Sequence, residues 1–279
     1  MPELPEVQTT VSGLKSKVLN RTFVDVWTDT EKLFKNMSFG DFRKEIKNKK
    51  IKDIRRRGKN LIFELSEEYF LLVHLKMTGH FLYDECPPAG GQGQEDSMNR
   101  FIRARFFLDN DKVLALSDLR KFAKIELLKK EELDKELELL GPEPLEKDFT
   151  FEKFKKVLKK GKIKQILMNQ NIFVGVGNIY ADEILWQAEV HPEKNVLDLS
   201  ERELKKIYLA TKDILLEALK FGGTSTSDYR NIEGGRGTFE KKLKAYQRQG
   251  QKCFRCGTII KRKKIAQRGT HFCPTCQKL

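Results

Sequence analysis

Four cysteines near the carboxy-terminal end set the strongest constraint on what this chain can fold into. They stand as Cys253-x2-Cys256 and Cys273-x2-Cys276, with 16 residues between the pairs. Two tight Cys-x2-Cys turns at that separation read as a four-thiolate zinc site on a hairpin. Such a site surrounds its metal at about 2.3 Å and leaves no position open to water. One Zn2+ held by Cys253, Cys256, Cys273 and Cys276 is therefore structural. Two disulfides are the other reading, and a reducing cytosol disfavours them. The fifth cysteine, Cys86, reads as a free surface thiol.

Charge gathers around the same segment. From Lys241 to Leu279 the chain carries 8 Lys and 4 Arg with no Asp or Glu, so this stretch holds +12 of a net +14. A small basic, partly apolar module on a nearly neutral body fits a polyanionic partner, nucleic acid first. No amphipathic helix accompanies the charge, which argues against a membrane surface. No stretch approaches the roughly 18 uninterrupted apolar residues of a membrane span. The acidic, proline-bearing amino terminus is unlike a secretory signal, so cytoplasmic residence is the expectation.

A length of 279 residues predicts two domains, or one large domain with an appendage. Residues 2–138 read mainly as strands: Phe23–Trp27, Ile51–Ile54, Leu61–Leu65, Phe70–Leu75, Phe101–Leu108, Val113–Leu116 and Lys124–Leu128. Many short strands with few helices predict a β-sandwich. Val7, Val11 and Leu14 recur at helical spacing after Pro5 and place a helix there. Residues 84–99, with Pro87-Pro88 and Gly90-Gly91, read as a flexible surface loop. Residues 139–222 read as helical. Phe151, Phe154, Val157 and Leu158 mark one helix, and Ile163, Ile166 and Leu167 a short second one. Asn178 reads as the cap of a third. Ser200 with Glu203 forms a capping-box signature for a fourth, which stops at Phe221-Gly222-Gly223. Residues 223–240 form a polar, glycine-bearing connection, and residues 241–279 the zinc hairpin. The fold class is α+β and multidomain.

The amino terminus reads Met1-Pro2-Glu3-Leu4-Pro5-Glu6. Removing Met1 would expose Pro2 as a secondary amine beside the Glu3 carboxylate. An α-amino group has an unperturbed pKa of about 8, against about 10 for lysine. More of it is neutral and nucleophilic near pH 7, and attack on a sugar carbon would give an iminium. On these six residues alone, a frayed terminus is the simpler reading.

The terminal Pro-Glu-Leu-Pro-Glu-Val, the run Val174-Gly175-Val176-Gly177-Asn178-Ile179-Tyr180-Ala181-Asp182-Glu183 and the zinc hairpin occur in the order of one family. The chain resembles the formamidopyrimidine-DNA glycosylases, which excise oxidised purines and cleave the resulting abasic site, and the resemblance spans essentially all 279 residues. It implies an amino-terminal β-sandwich, a helix–two-turns–helix domain and the zinc hairpin. Damaged double-stranded DNA is then the partner of a monomer associated with the nucleoid of a prokaryote.

The resemblance also implies roles, residue by residue. Pro2 is the nucleophile at C1′, Glu3 the acid–base group, and Lys59, on Arg56-Arg57-Gly58-Lys59-Asn60, a catalytic lysine. Glu6 matches a further carboxylate, although a helix first turn explains an acid there nearly as well. Met77, Arg120 and Phe122 match the three side chains that fill the gap left by an extruded nucleotide. His74, Lys121, Asn178 and Arg268 match phosphate contacts. Lys164 matches a residue near the lesion, and Tyr229 a contact in the loop that closes over the base. Without the resemblance, Lys59 reads as a solvated turn lysine, and Met77 and Phe122 as core.

Several positions depart from the commonest pattern. Phe101–Leu108 lacks a histidine that many members carry, Leu119 replaces a frequent proline, Lys121 an arginine and Ala123 a glycine, and the loop at 84–99 is longer and richer in glycine. These touch lesion and opposite-base preference. Two rival functions stay open. One is an endonuclease VIII-like enzyme acting on oxidised pyrimidines. The other is a non-catalytic damage sensor that keeps the hairpin and helices.

Overall fold

The computed structural model describes residues 1–84, 96–226 and 228–279. The chain divides into two compact units. One contains Met1–Leu139 and Phe221–Glu240, the other Leu140–Lys220 and Lys241–Leu279. Cys86 and most of the loop predicted at 84–99 lie outside the described residues.

The first unit opens with helix α1 (Leu4–Val18). Its strands are β1 (Phe23–Thr28), β2 (Ile51–Arg57), β3 (Asn60–Leu65), β4 (Tyr69–His74), β5 (His80–Asp84), β6 (Ile102–Leu108), β7 (Val113–Ser117) and β8 (Lys124–Lys129). They form two four-stranded antiparallel sheets, ordered β1-β6-β7-β5 and β2-β3-β4-β8. Helix α2 (Phe39–Ile46) is capped by Ser38 Oγ, which accepts the Asp41 N–H at 3.1 Å. Helix α3 (Lys130–Glu138) follows β8.

The core between the sheets takes alternate residues from each strand, as a pleated ribbon requires. Phe23, Phe63, Phe81 and Phe106 meet there with Val7, Val11 and Leu14 of α1. The intervening residues of β3 and β4 (Ile62, Phe70, Leu72) point the other way and are buried with Leu133 of α3. This two-sided burial explains why β4 reads as an unbroken apolar run.

Seven of the eight strands coincide with the predicted ones to within three residues at either end. Strand β5 and helices α2 and α3 were not anticipated. The carboxy-terminal end of the predicted loop is also firmer than expected. Ser97–Arg100 forms a tight helical turn, and Asn99 is buried, with its Oδ1 3.0 Å from His80 Nε2 and its Nδ2 donating to Gly234 O at 3.2 Å.

The second unit holds helices α4 (Phe151–Val157), α5 (Ile163–Met168), α6 (Asn178–Ala188) and α7 (Glu201–Lys220), then the hairpin β9 (Lys261–Ile265) and β10 (Arg268–Phe272). The capping box is present: Ser200 N–H donates to Glu203 Oε2 at 2.9 Å, and Glu203 N–H to Ser200 Oγ at 3.3 Å. Helix α7 ends before Gly222 and Gly223, whose φ of 69° and 79° suit glycine. An aromatic cluster of Phe149, Phe154, Phe173 and Tyr208 packs α4 against α7, and Tyr208 OH donates to Phe149 O at 2.9 Å. Asn178 is not the cap of α6. Gly177 takes that place, and the Asn178 side chain turns towards the hairpin, donating to Gly269 O at 3.1 Å. Among the described residues, no helix is long and apolar enough to cross a membrane.

Candidate active site and nucleic-acid interface

Pro2 and Glu3 are buried at the head of α1, while Met1 stays 42% exposed. The terminus is therefore an ordered arm. Glu6, itself buried, holds it in place: Oε2 accepts the Glu3 N–H at 2.7 Å, and Oε1 accepts the Thr224 N–H at 2.7 Å. One carboxylate in the first turn thus joins the arm to the loop that follows Gly223. Position 223 must be glycine, because a Cβ there would lie 2.6 Å from Glu6 Oε1.

Both ends of that loop are pinned. Thr224 bridges Thr238, Ser225 Oγ donates to Tyr229 O at 2.7 Å, and Tyr83 N–H donates to Ile232 O at 2.8 Å. Tyr229 was expected to face an extruded base. In this structure it is 4% exposed, and its hydroxyl donates to Glu6 O at 3.0 Å, fastening the loop to α1. Burial holds its phenol above the usual range.

Lys59 sits on the two-residue turn between β2 and β3, where Gly58 supplies a φ of 59°. It is buried, and Arg56 steadies the turn through Nη1 to Gly58 O (3.0 Å) and Nε to Gln8 Oε1 (3.1 Å). Lys59 also acts on His74 at the end of β4. Burial first, and then the charges of Lys76, Lys59 and Lys124, bring the His74 imidazole down to about 3. His74 Nδ1 accepts the Lys76 N–H at 2.9 Å, so the neutral ring carries its proton on Nε2, a donor suited to a phosphate.

Burial also brings His80 down to about 4. The unfolded chain takes up protons on both rings near pH 6.5, while the fold resists until about pH 4 and below. The stability contributed by these two neutral rings is complete above pH 6.5 and is lost as acid is added below it. Replacing His74 with Asn keeps an acceptor for Lys76 and removes one of these groups. The melting temperature of His74→Asn should then fall less steeply between pH 6.5 and 4 than that of the wild type. Equal slopes would show that His74 takes up its proton as readily in the fold as in the unfolded chain.

The three expected gap-filling side chains occupy two turns of the first unit. Met77 lies half-buried on the turn between β4 and β5, not in the core. Arg120 and Phe122 project from the connection between β7 and β8, with Phe122 48% exposed and the Arg120 guanidinium 4.6 Å from its ring centre. The Phe122 ring and the Arg120 guanidinium thus present one flat, cationic face to solvent. Lys121, between them, has a φ of 56°.

In the second unit, Lys164, Asn178 and Arg268 converge on the start of β10. Arg268 is exposed. Asn178 Nδ2 reaches Gly269 O, and its Oδ1 is buried without a hydrogen-bond partner among the described residues. Lys164 is 1% exposed. It donates to Asp182 Oδ1 at 2.6 Å and Thr270 Oγ1 at 2.8 Å, and serves as the buried counter-ion of α6.

Two further acids fasten the hairpin to α6, and sequence reasoning assigned them no role. Asp182 Oδ2 accepts from His271 N–H (2.8 Å) and Nδ1 (2.9 Å). Glu183 accepts the backbone N–H groups of Lys244, Ala245 and Tyr246 at 2.8–2.9 Å. Burial pushes the Glu183 carboxyl up to about 7, while those three donors pull it the other way.

The four cysteine sulfurs lie within 4.8 Å of one another, and Cys256 Sγ and Cys273 Sγ are 3.4 Å apart. A tetrahedral four-thiolate zinc site needs sulfur separations of about 3.8 Å, so the set fits one ion. Trp186 Nε1 donates to Cys253 Sγ at 3.4 Å and Gln277 Oε1 accepts the Cys273 N–H at 2.8 Å. Such bonds orient the ligands. When bound, zinc closes the hairpin and takes no part in chemistry.

The Formamidopyrimidine-DNA glycosylase N-terminal domain matches residues 1–125, the H2TH domain of the same proteins residues 140–230, and the zinc finger found in FPG and IleRS residues 250–279. The formamidopyrimidine-DNA glycosylase of Pelotomaculum thermopropionicum is 38% identical over the whole of both chains, and that of Bacillus cereus 36% over 99% of each. Among solved structures, a Lactococcus lactis FPG mutant in complex with Fapy-dG containing DNA superposes with a TM-score of 0.89 at 34% identity, covering 100% of both chains. The Lactococcus lactis Fpg in complex with abasic-site DNA gives 0.89 at 34% identity, over 99% of this chain. With three matching domains in order and full-length relatives above one-third identity, the chain belongs to the formamidopyrimidine-DNA glycosylase family.

Proposed function

We propose that the protein is a bifunctional DNA glycosylase and abasic-site lyase of base excision repair, acting on oxidised purines such as 8-oxoguanine and formamidopyrimidines. The observation that carries this reading is the buried amino-terminal arm: Pro2 and Glu3 are held at the head of α1 by Glu6. A frayed end would not be so fastened. With Met1 removed, the neutral Pro2 amine attacks C1′. The bond from C1′ to the base breaks with its electron pair leaving on the base, and Glu3 transfers the protons that open the sugar ring. The resulting iminium draws electrons from C2′, and loss of a C2′ proton expels the 3′ phosphate. A second elimination expels the 5′ phosphate, and water returns the amine. Lys59 supplies positive charge beside the reacting sugar.

DNA is held by two sets of residues. His74, Lys121, Met77, Arg120 and Phe122 belong to the first unit, and Asn178 and Arg268 to the second. Lys164 and Tyr229 act indirectly, the first by seating β10 and the second by seating the loop at 223–240. The domain division of 2–138, 139–222, 223–240 and 241–279 follows these roles. We place the enzyme in the cytoplasm, at the nucleoid, as a monomer.

Borohydride reduction during turnover tests the scheme, because it converts the iminium into a stable protein–DNA adduct. An 8-oxoguanine duplex should trap the protein more than about tenfold faster than a thymine glycol duplex of the same sequence, by the preference expected between differently shaped bases. Faster trapping on thymine glycol would move the enzyme to the pyrimidine-directed branch. An untrappable protein that still binds the lesion would make it a sensor.

A further inference from the structure

The turn carrying Met77 and the turn carrying Arg120 and Phe122 are separate in sequence, yet one side chain holds both. Asp118 is 0% exposed and spends its two oxygens on four donors. Oδ2 accepts the N–H of Phe122 at 2.7 Å and of Ala123 at 2.8 Å. Oδ1 accepts the N–H of Arg120 at 3.3 Å and the hydroxyl of Thr78, the residue next to Met77. Thr78 Oγ1 in turn accepts the Arg120 N–H at 3.0 Å. The Asp118 backbone is fixed as well: its N–H donates to Phe101 O at 2.9 Å, and its carbonyl accepts Arg103 Nε at 3.1 Å and the Lys121 N–H at 3.3 Å.

Both turns are strained where they present their side chains. Lys76 and Lys121 adopt φ of 52° and 56°, a region that costs residues other than glycine about 1 kcal/mol or more. Such conformations persist when neighbouring bonds over-determine them: the Lys121 N–H donates to Asp118 O and the Lys76 N–H to His74 Nδ1, while Thr78 and Asp118 tie the two turns to each other. A buried carboxylate is expensive unless its lone pairs are filled, and four donors fill these. The pair is therefore a rigid coupling that sets the distance between Met77 on one turn and the Arg120–Phe122 stack on the other.

We infer that Asp118, acting through Thr78, is the positioning residue that locks the two gap-filling turns into one wedge, so that base extrusion and gap filling occur together. This rests on the glycosylase reading, but it concerns extrusion and not the chemistry at Pro2. The full-length, zinc-loaded protein is compared with Thr78→Val, Asp118→Ala and Asp118→Asn in three measurements. They are single-turnover excision of 8-oxoguanine from a duplex, fluorescence of a 2-aminopurine beside the lesion as it unstacks, and cleavage of an abasic site in single-stranded DNA, which has no gap to fill.

Thr78→Val keeps the shape and removes only the link between the turns. It should slow excision and unstacking by about tenfold, and Asp118→Ala by about a hundredfold, as misplacement of positioning groups by about 1 Å does. Single-stranded cleavage by Thr78→Val should stay within about twofold of wild type. Asp118→Asn, which retains one acceptor oxygen for Phe122 and Ala123, should recover part of the loss. The inference is overturned if Thr78→Val and Asp118→Ala extrude and excise at the wild-type rate. It is equally overturned if excision, unstacking and single-stranded cleavage all fall by the same factor, since Asp118 would then only maintain the fold. A wild type that excises nothing would instead overturn the glycosylase reading, because the comparison would have no starting rate.

Discussion

A form of the protein that keeps Met1, through a short extension that blocks its removal, should give no borohydride adduct on an 8-oxoguanine duplex while binding that duplex as tightly as wild type. With Met1 attached, the Pro2 nitrogen is a tertiary amide whose lone pair is delocalised into the carbonyl. No nucleophile is then left at the arm. An unperturbed α-amino group, with a pKa of about 8, is about a tenth neutral at pH 7. That fraction suffices for an enzyme, and the amide has none. Excision should drop by about a thousandfold or more, the scale on which covalent catalysis fails when its nucleophile is lost. Because Met1 is exposed whereas Pro2 and Glu3 are buried, the extension can leave without disturbing the arm. Measuring adduct formation and duplex affinity on one preparation separates chemistry from binding. An adduct of normal yield from the Met1-retaining form would place the nucleophile elsewhere, Lys59 being the amine to test next.

Removing zinc should have the second large effect. Four thiolates around one ion stabilise small zinc modules by about 10–16 kcal/mol at pH 7, so chelation or Cys253→Ser should unfold the hairpin and not merely loosen it. The same change removes Arg268 and the surrounding +12 segment from any ordered surface. Duplex affinity should fall by about a hundredfold or more, since every phosphate that is no longer neutralised keeps its condensed counterions and their release no longer drives binding. Metal release with a colorimetric chelator should give one ion per chain. Trp186, whose ring N–H rests on Cys253 Sγ, provides an optical signal for the transition. In a Trp27→Phe background that signal is isolated, and its emission should shift to the red as the indole meets water. Unchanged duplex affinity after complete metal release would separate the hairpin from DNA binding.

How much of this was legible in the sequence depends on what each feature leaves behind in the chain. The zinc site, α1 and the capping box of α7 were readable because spacing alone defines them. Strand β5 was not, because His80-Phe81-Leu82-Tyr83-Asp84 is short, follows Thr78-Gly79 and lacks alternation. Helix α3 exposes most of Lys130–Glu138 and buries only Leu133, too little for a periodic signal. The residues that organise the site were the least visible. Asp118, Asp182 and Glu183 are acids, and nothing in a sequence distinguishes a solvated carboxylate from one whose oxygens are filled by backbone donors. Asn178 and Tyr229 were noticed, but their partners are Gly269, far along the chain, and a main-chain oxygen of Glu6. Carbonyl oxygens carry no residue identity, so no pattern of side chains points to them.

The two neighbouring acids of α6 limit how this chain can be rearranged. A zinc hairpin defined by its cysteines invites transplantation, with residues 250–279 treated as a cassette. Yet Asp182 grips His271 inside that span, while Glu183 grips Lys244, Ala245 and Tyr246 outside it. A graft cut at 250 would part the two halves of this clasp: His271 would reach its host without a carboxylate, and Asp182 would stay behind, buried and short of two donors. Recombination between relatives should therefore succeed at breakpoints before Lys244 only if α6 travels with the hairpin. The natural unit of exchange is α5 and α6 with the hairpin, since Lys164 of α5 bonds both Asp182 and Thr270.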